Sequence, residues 1–328
     1  MDKPNIPSAL QRRDLLKFAA AATSTLALAE PSRSAGSAAQ PAVPAMPIAP
    51  DAQFPAEPAS DSQELVTLEH RGHILLIGLN RPEAENRLIP AMSAALAKAY
   101  YAFEQDPTLR VAILFGHGRS FCAGIDVASF AATYAAGGSA TAIPTATTAP
   151  QTIDPFGKDK PRLSKPVVVV AHGNTLNVGH ELFLSADVRL AAADTTFGQM
   201  ENTQARVPAS GATVRFVREA GWGNAMRYIL SGEAWNAAEA RRMGTLQEIC
   251  PTRNDAILMA LQTASRIAAA GPLSIKATLA SAHTALDVNE DAALSGLNSI
   301  RSTLYRTKDF KEGLAAQAER RPPVFTGE

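Results

Sequence analysis

Two glutamates, Glu181 and Glu201, are the side chains in this sequence best suited to proton transfer. They stand twenty residues apart (181 to 201), on either side of an apolar run. Two carboxyls drawn into one dry cleft do not both ionise. One keeps its proton and can act as an acid, while the other is free to act as a base. The loop before Glu181, residues 172–179, holds two glycines and leads into a helix-like segment. Backbone N–H groups at such a helix start can face a carbonyl oxygen and stabilise charge growing on it, an effect worth several kcal/mol. An acid, a base and a pair of fixed N–H donors are what enolate chemistry requires.

Those groups need elements to hold them. The stretch 167–201 reads as a β-loop-α-β unit: four valines, a loop, a helix carrying Glu181, a second apolar run, then a polar turn ending at Glu201. Upstream, 65–69 and 73–79 are strand-like around a tight Arg71-Gly72 hairpin, and Asn80-Arg81-Pro82 ends the second strand. Pro90 opens a helix through 103, and 111–115 is a buried strand. A Gly-His-Gly turn follows at 116–118, and 121–126 leads into a short helix. The stretch 135–161 is rich in Gly, Ala, Thr and Pro and reads either as a flap over the cleft or as an exposed loop. Beyond Glu201, helices are expected over 211–219, 223–231 and 237–243, the last closed by Gly244. A strand over 245–250 precedes helices over 254–269, 273–286, 291–305 and 310–319. Alternating strands and helices followed by helices alone specify an α/β fold with a helical C-terminal layer.

The 328 residues are 46% apolar and carry a formal net charge of zero, enough for one sizeable core and without the field that nucleic acid binding needs. Two cysteines, Cys122 and Cys250, are too few for a disulfide framework and read as buried thiols. No His/Cys cluster has metal-ligand spacing, so no metal is expected. At the N-terminus, Arg12-Arg13-Asp14-Leu15-Leu16-Lys17 precedes an apolar run over 18–28 and an Ala27-Leu28-Ala29 end. Residues 1–29 therefore resemble a twin-arginine export signal, which would place the protein in the periplasm or outside the cell; if the signal is unused, the protein stays in the cytoplasm. The run is too short for a stable membrane span. Residues 30–62 are rich in Pro, Ala and Ser and read as a disordered linker. The remainder divides into a core over 63–260 and a C-terminal helical region over 261–328.

Six blocks in order resemble the crotonase superfamily, the enoyl-CoA hydratases and isomerases. They are Leu79-Asn80-Arg81-Pro82 with Asn86; 116–126; Lys165-Pro166-Val167 through 172–182 to Ala186-Asp187; 197–201 with Pro208 and Gly211; 231–233 with 237–240, Gly244 and Glu248-Ile249; and Glu312-Gly313 with 319–327. The resemblance implies a spiral of ββα turns whose C-terminal helices drive homotrimers or hexamers. It implies an acyl-CoA substrate, with coenzyme A as part of the substrate and no separate cofactor. By position it makes the Ile125 and Val178 N–H groups the oxyanion hole, with Gly124, Asp126 and Gly179 around the substrate. It makes Glu181 and Glu201 the acid/base pair. Keeping both glutamates favours hydration of a 2-enoyl-CoA over isomerisation.

The sequence also departs from the family pattern. Asn177 and Val178 fill positions where glycines are usual, and a side chain at Val178 would narrow the approach to the backbone. Met200 replaces a frequent proline, Ala205 and Arg206 stand where a glycine is common, and His172 replaces a more usual polar residue. His180, beside Glu181, is expected to pack or to support the site from behind. An export signal on a CoA-dependent enzyme is a conflict. It leaves two alternatives: an exported C–C hydrolase or lyase acting on a non-CoA carbonyl compound, and a non-catalytic member of the family.

Overall fold

The computed structural model describes residues 64–137 and 151–328. The signal-like and linker segments expected over 1–62, and residues 138–150 of the 135–161 stretch, lie outside the described residues.

A six-stranded sheet runs in the order β1-β2-β3-β4-β6-β9. β1 (Val66–Arg71) and β2 (Ile74–Leu79) form the expected hairpin, paired antiparallel with Arg71 opposite Ile74 and Gly72 at φ +57° in the turn. β3 (Val111–Gly116), β4 (Val167–Ala171), β6 (Val188–Ala192) and β9 (Glu248–Cys250) then add in parallel. Parallel central strands are covered on both faces, which explains their unbroken apolar runs. In β4, Val167, Val169 and Ala171 enter one core while Val168 and Val170 enter the other. α1 (Pro90–Gln105) packs in the first core through Met92, Leu96 and Phe103, and α7 (Arg253–Ala268) in the second through Ile257, Leu261 and Ala264.

A second sheet holds three short strands: β5 (Asn174–Leu176), β7 (Thr196–Gly198) and β8 (Ala234–Asn236), in the order β5-β7-β8. β4 passes directly into β5, and β6 into β7, so each chain pass crosses from the large sheet to the small one. The β-loop-α-β unit is thus a ββα turn, with β5 inside what reads as a loop. Three residues are too few to show a period of two, and the Asn-Thr-Leu of β5 does not alternate polar with apolar.

Between the core strands lie α2 (Ala131–Ala135), α3 (Val178–Leu184), α4 (Ala212–Ala220), α5 (Trp222–Ser231) and α6 (Ala237–Arg242). The segment after Asp126 is a 3₁₀ turn, Val127–Phe130, before α2 begins. The boundary drawn at 260 falls inside α7, which is anchored on β3, β4 and β6 and belongs to the core. The C-terminal layer begins instead with α8 (Pro272–Asp287), α9 (Glu290–Leu304) and α10 (Lys308–Glu319). α8 and α9 pack on each other, yet neither buries a side chain fully within the chain. Among the described residues no single helix is long and apolar enough to cross a membrane.

Part of the described end of the 135–161 stretch, residues 152–156, is packed against the core. Thr152, Ile153, Asp154 and Phe156 are buried, and the Ile153 N–H donates to the Ala97 carbonyl of α1. Asp154 closes the turn by accepting the N–H groups of Phe156 (3.0 Å) and Lys158 (2.9 Å). Two buried hydrophobes, Ile153 and Phe156, suffice to anchor it to the first core.

Candidate active site

The loop from Gly116 to Asp126 is held from both sides. The buried Asn86 side chain donates to the carbonyls of His117 (2.9 Å) and Ser120 (2.8 Å). On one side the backbone pairs with 85–88: Ala123 N–H donates to Glu85, Leu88 N–H to Gly124, and Asp126 N–H to Leu88. On the other side Cys122 bridges to Thr175 of β5. Because Leu88 uses Gly124 and Asp126 as its partners, the Ile125 N–H between them points away from Leu88.

The second donor segment lies directly alongside. A Cβ on Gly179 would fall 2.2 Å from the Cys122 carbonyl oxygen, so only glycine permits this approach. Gly124, at φ +110°, sits against Leu176 and the Asn177 side chain. Val178 is the first residue of α3, where N–H groups have no helical acceptor. The Ile125 and Val178 N–H groups are therefore carried on two touching segments, 122–125 and 176–179.

Asn177 explains how a non-glycine loop can make this turn. Its backbone takes φ 53°, ψ −119°, a conformation that strains any L residue other than glycine. Two hydrogen bonds at 2.7 Å hold it there: its N–H donates to Gly198 of β7, and its Oδ1 accepts the Met200 N–H. Val178 buries its side chain in the first core at 3% exposure, so the departure from glycine is absorbed by packing and does not narrow the approach. Ala205 likewise occupies the left-handed region at φ +51°, the conformation for which glycine is common at that position.

Glu181, in the first turn of α3, is 1% exposed. Its Oε1 accepts the N–H groups of Ser210 (2.7 Å) and Ala212 (3.1 Å), both beside the N-terminus of α4. Burial outweighs those bonds and pushes its carboxyl up to about 7, with the Glu201 charge adding to the rise. Glu201 begins a 3₁₀ turn, Glu201–Gln204, and is 7% exposed. Burial raises its carboxyl too, opposed by its own backbone N–H and by Gln199, whose Nε2 lies 3.0 Å from both carboxylate oxygens. The structure thus brings Glu181 and Glu201 within electrostatic reach of each other in unequal surroundings. Glu181 can hold a proton at neutral pH, and Glu201 has donors that favour its charged form.

Asp126 is committed elsewhere. Its carboxylate pairs with Arg81 at 2.9 Å, which holds it below the usual carboxylate range, and it caps the 3₁₀ turn at Ser129. His180 is fully buried among Phe183, Phe197, Phe216 and Trp235, and its Nδ1 lies 2.7 Å from Gln199 Oε1. Sequence reasoning missed Gln199, the Ser210 and Ala212 N–H groups, and the Asn177 clamp. Only Asn177 carried a signal, as a polar residue at a glycine position.

A family model described as enoyl-CoA hydratase/isomerase matches residues 69–328. The chain belongs to this family. The mixed sheets, the touching donor segments and the C-terminal helices accordingly form a crotonase fold. The chain is 34% identical over 258 residues to enoyl-CoA hydratase EchA19 of Mycobacterium tuberculosis, covering 79% of this chain and 95% of that one. It is 33% identical over 270 residues to the (E)-benzylidenesuccinyl-CoA hydratase of Thauera aromatica, covering 80% and 99%. A crystal structure of enoyl-CoA hydratase from Mycobacterium tuberculosis H37Rv superposes with a TM-score of 0.71 at 32% identity, covering 80% of this chain and 99% of that one.

Proposed function

We propose that this enzyme adds water across the double bond of a 2-enoyl-CoA thioester. The carrying observation is the pair of buried carboxyls, Glu181 pushed up to about 7 and Glu201 supplied with charge-stabilising donors, next to two adjoining N–H segments. The thioester oxygen would accept from Ile125 and Val178, so that charge driven onto it by attack at the β-carbon is stabilised. Gly124 and Gly179 leave room for the carbonyl to approach the backbone. Glu201, as carboxylate, would take the proton of the attacking water, and Glu181, protonated, would deliver one to the α-carbon. Coenzyme A enters only as part of the substrate. The relatives' names as CoA hydratases support this reading.

The test is hydration of a series of 2-enoyl-CoA chain lengths by the purified chain, followed as loss of the conjugated thioester's ultraviolet absorbance. Folded protein without turnover at any chain length would sink the reading.

Two companion readings belong here. The twin-arginine-like residues 1–29 support export, and fractionation of cells with an antibody to the C-terminal region tests it. Retention of all protein in the cytoplasm would remove that support. The apolar residues Leu286, Leu294 and Leu297, exposed on α8 and α9, support a homotrimer in which these helices meet a second copy. Light scattering that returns the monomer mass would reject it.

A further inference from the structure

Ser210 holds a polar atom that the proposed chemistry leaves unused. The residue is wholly buried, and its hydroxyl oxygen has no hydrogen-bond partner among the described residues. An alanine there would fill nearly the same space without a hydroxyl to desolvate, so the oxygen calls for a reason. Its place supplies one. The backbone N–H of the same residue donates to Glu181 Oε1 at 2.7 Å.

The carboxyl beside it is incompletely served. Oε1 accepts two N–H groups, that of Ser210 and that of Ala212 at 3.1 Å, while Oε2 receives no donor from the described residues. An ionised carboxylate offers about four acceptor sites, so part of its capacity stays open. A serine oxygen moves among three staggered positions by turning about one bond. Both donors of one such residue can then serve one carboxylate, and this chain does so twice. Ser164 gives its N–H (2.9 Å) and its O–H (2.5 Å) to Glu104, and Thr108 gives the same two groups to Asp106 (2.8 and 2.6 Å). A hydroxyl bonds a charged carboxylate more strongly than a neutral one. Glu181 changes charge in each turnover, whether it gives a proton or takes one, so the strength of that bond changes with it.

We propose that Ser210 is a positioning residue for Glu181, its hydroxyl turning onto the carboxylate when that group is charged and away from it when neutral. The kinetic consequence rests on the hydratase reading. The effect on Glu181 itself can be read without turnover, and it is the same whichever carboxyl starts the reaction protonated. The charged groups facing Glu181 are Glu201, Lys158 and Arg215. All remain in place in Ser210→Ala, which also keeps the N–H on Oε1.

Ser210→Ala should raise the pH at which Glu181 ionises by about one unit above its wild-type value of about 7, because the charged form loses a donor. The infrared C=O band of the protonated carboxyl reports that midpoint in the enzyme without substrate, and it is recognised as the band missing from Glu181→Gln. The limb of the kcat/KM profile that Glu181 governs should move up by the same amount. Melting gives a second reading. With Glu181 neutral at pH 5 the hydroxyl is idle, so Ser210→Ala should melt at or above the wild-type temperature. As pH rises through about 7 the difference should swing toward wild type, which alone has the extra donor for the charge. An unmoved infrared midpoint in Ser210→Ala overturns the proposal. So does a melting difference that is equal at pH 5 and pH 8.5, because packing alone would then account for it. If Ser210→Ala does not fold, Ser210→Gly removes the same hydroxyl and its midpoint decides in the same way. Absence of wild-type turnover with the midpoint still shifted, by contrast, would count against the hydratase reading alone.

Discussion

The backbone N–H of Met200 donates to the side-chain oxygen of Asn177 at 2.7 Å. Both residues depart from the pattern that the sequence otherwise follows, and each departure requires the other. Proline, frequent at position 200, has no N–H to give. Glycine, usual at position 177, has no oxygen to receive it. Together they tie the loop that carries the Val178 donor to the residue preceding Glu201.

Met200→Pro should therefore impair this enzyme although it moves toward the family. We expect kcat/KM to fall about tenfold or more, the cost of losing one partly buried hydrogen bond that ties together two segments of the candidate site. Asn177→Gly combined with Met200→Pro should recover most of it, since the glycine relieves the strain at φ 53° as well. A double variant no better than Met200→Pro alone would show that the two positions are not coupled.

Replacing the carboxyls addresses the chemistry itself. Glu181→Gln and Glu201→Gln should each lower kcat by about two to four orders of magnitude with the fold retained, as judged by circular dichroism. A loss below tenfold for either would remove that residue from proton transfer.

Glu181 also leaves a mark on stability. Its folded-state pKa lies above its unfolded one, so the folded state binds the proton more tightly between about 4.5 and about 7. Stability from this group is thus fully present below about 4.5 and is lost as pH rises through about 7. Glu181→Gln removes the buried charge while keeping an oxygen for the Ser210 and Ala212 N–H groups. Thermal melting should show the variant more stable than wild type by about 1–3 kcal/mol at pH 8, with the gap closing toward pH 4.5. An equal gap at both pH values would contradict the assignment.

Gly179→Ala probes the touching donor segments. The new methyl would meet the Cys122 carbonyl at 2.2 Å and force 176–179 away from 122–125. Turnover should fall at least about a hundredfold, as when an oxyanion donor is lost, together with a lower melting temperature. Unchanged kcat would place the carbonyl-binding donors elsewhere.

Much of the fold is legible in the sequence because parallel strands write themselves as apolar runs. β3, β4 and the C-terminal helices lie within a residue or two of their expected places, and β6 is the second apolar run. The paired glutamates are legible too, as side chains whose type and spacing suggest chemistry. The rest is hidden for definite physical reasons. β5, β7 and β8 are three residues each and show no usable period. Ser210 and Ala212 act through backbone N–H groups, which every residue but proline possesses. Gln199 is an ordinary polar residue until His180 is seen at its far end. The 152–156 segment looks loop-like in composition, and its two buried hydrophobes are too few to reveal that it packs.

The two cysteines, finally, belong to different faces of the large sheet: Cys122 to the core with α1 and Cys250 to the core with α7. Both are buried, and burial pushes the Cys122 thiol up to about 12, far from the thiolate that oxidants and alkylating agents attack. With a β-sheet between them they cannot meet in the folded chain. Oxidising and reducing surroundings therefore act on the same folded molecule, and no oxidase or reductase is needed to bring these two thiols to their native state.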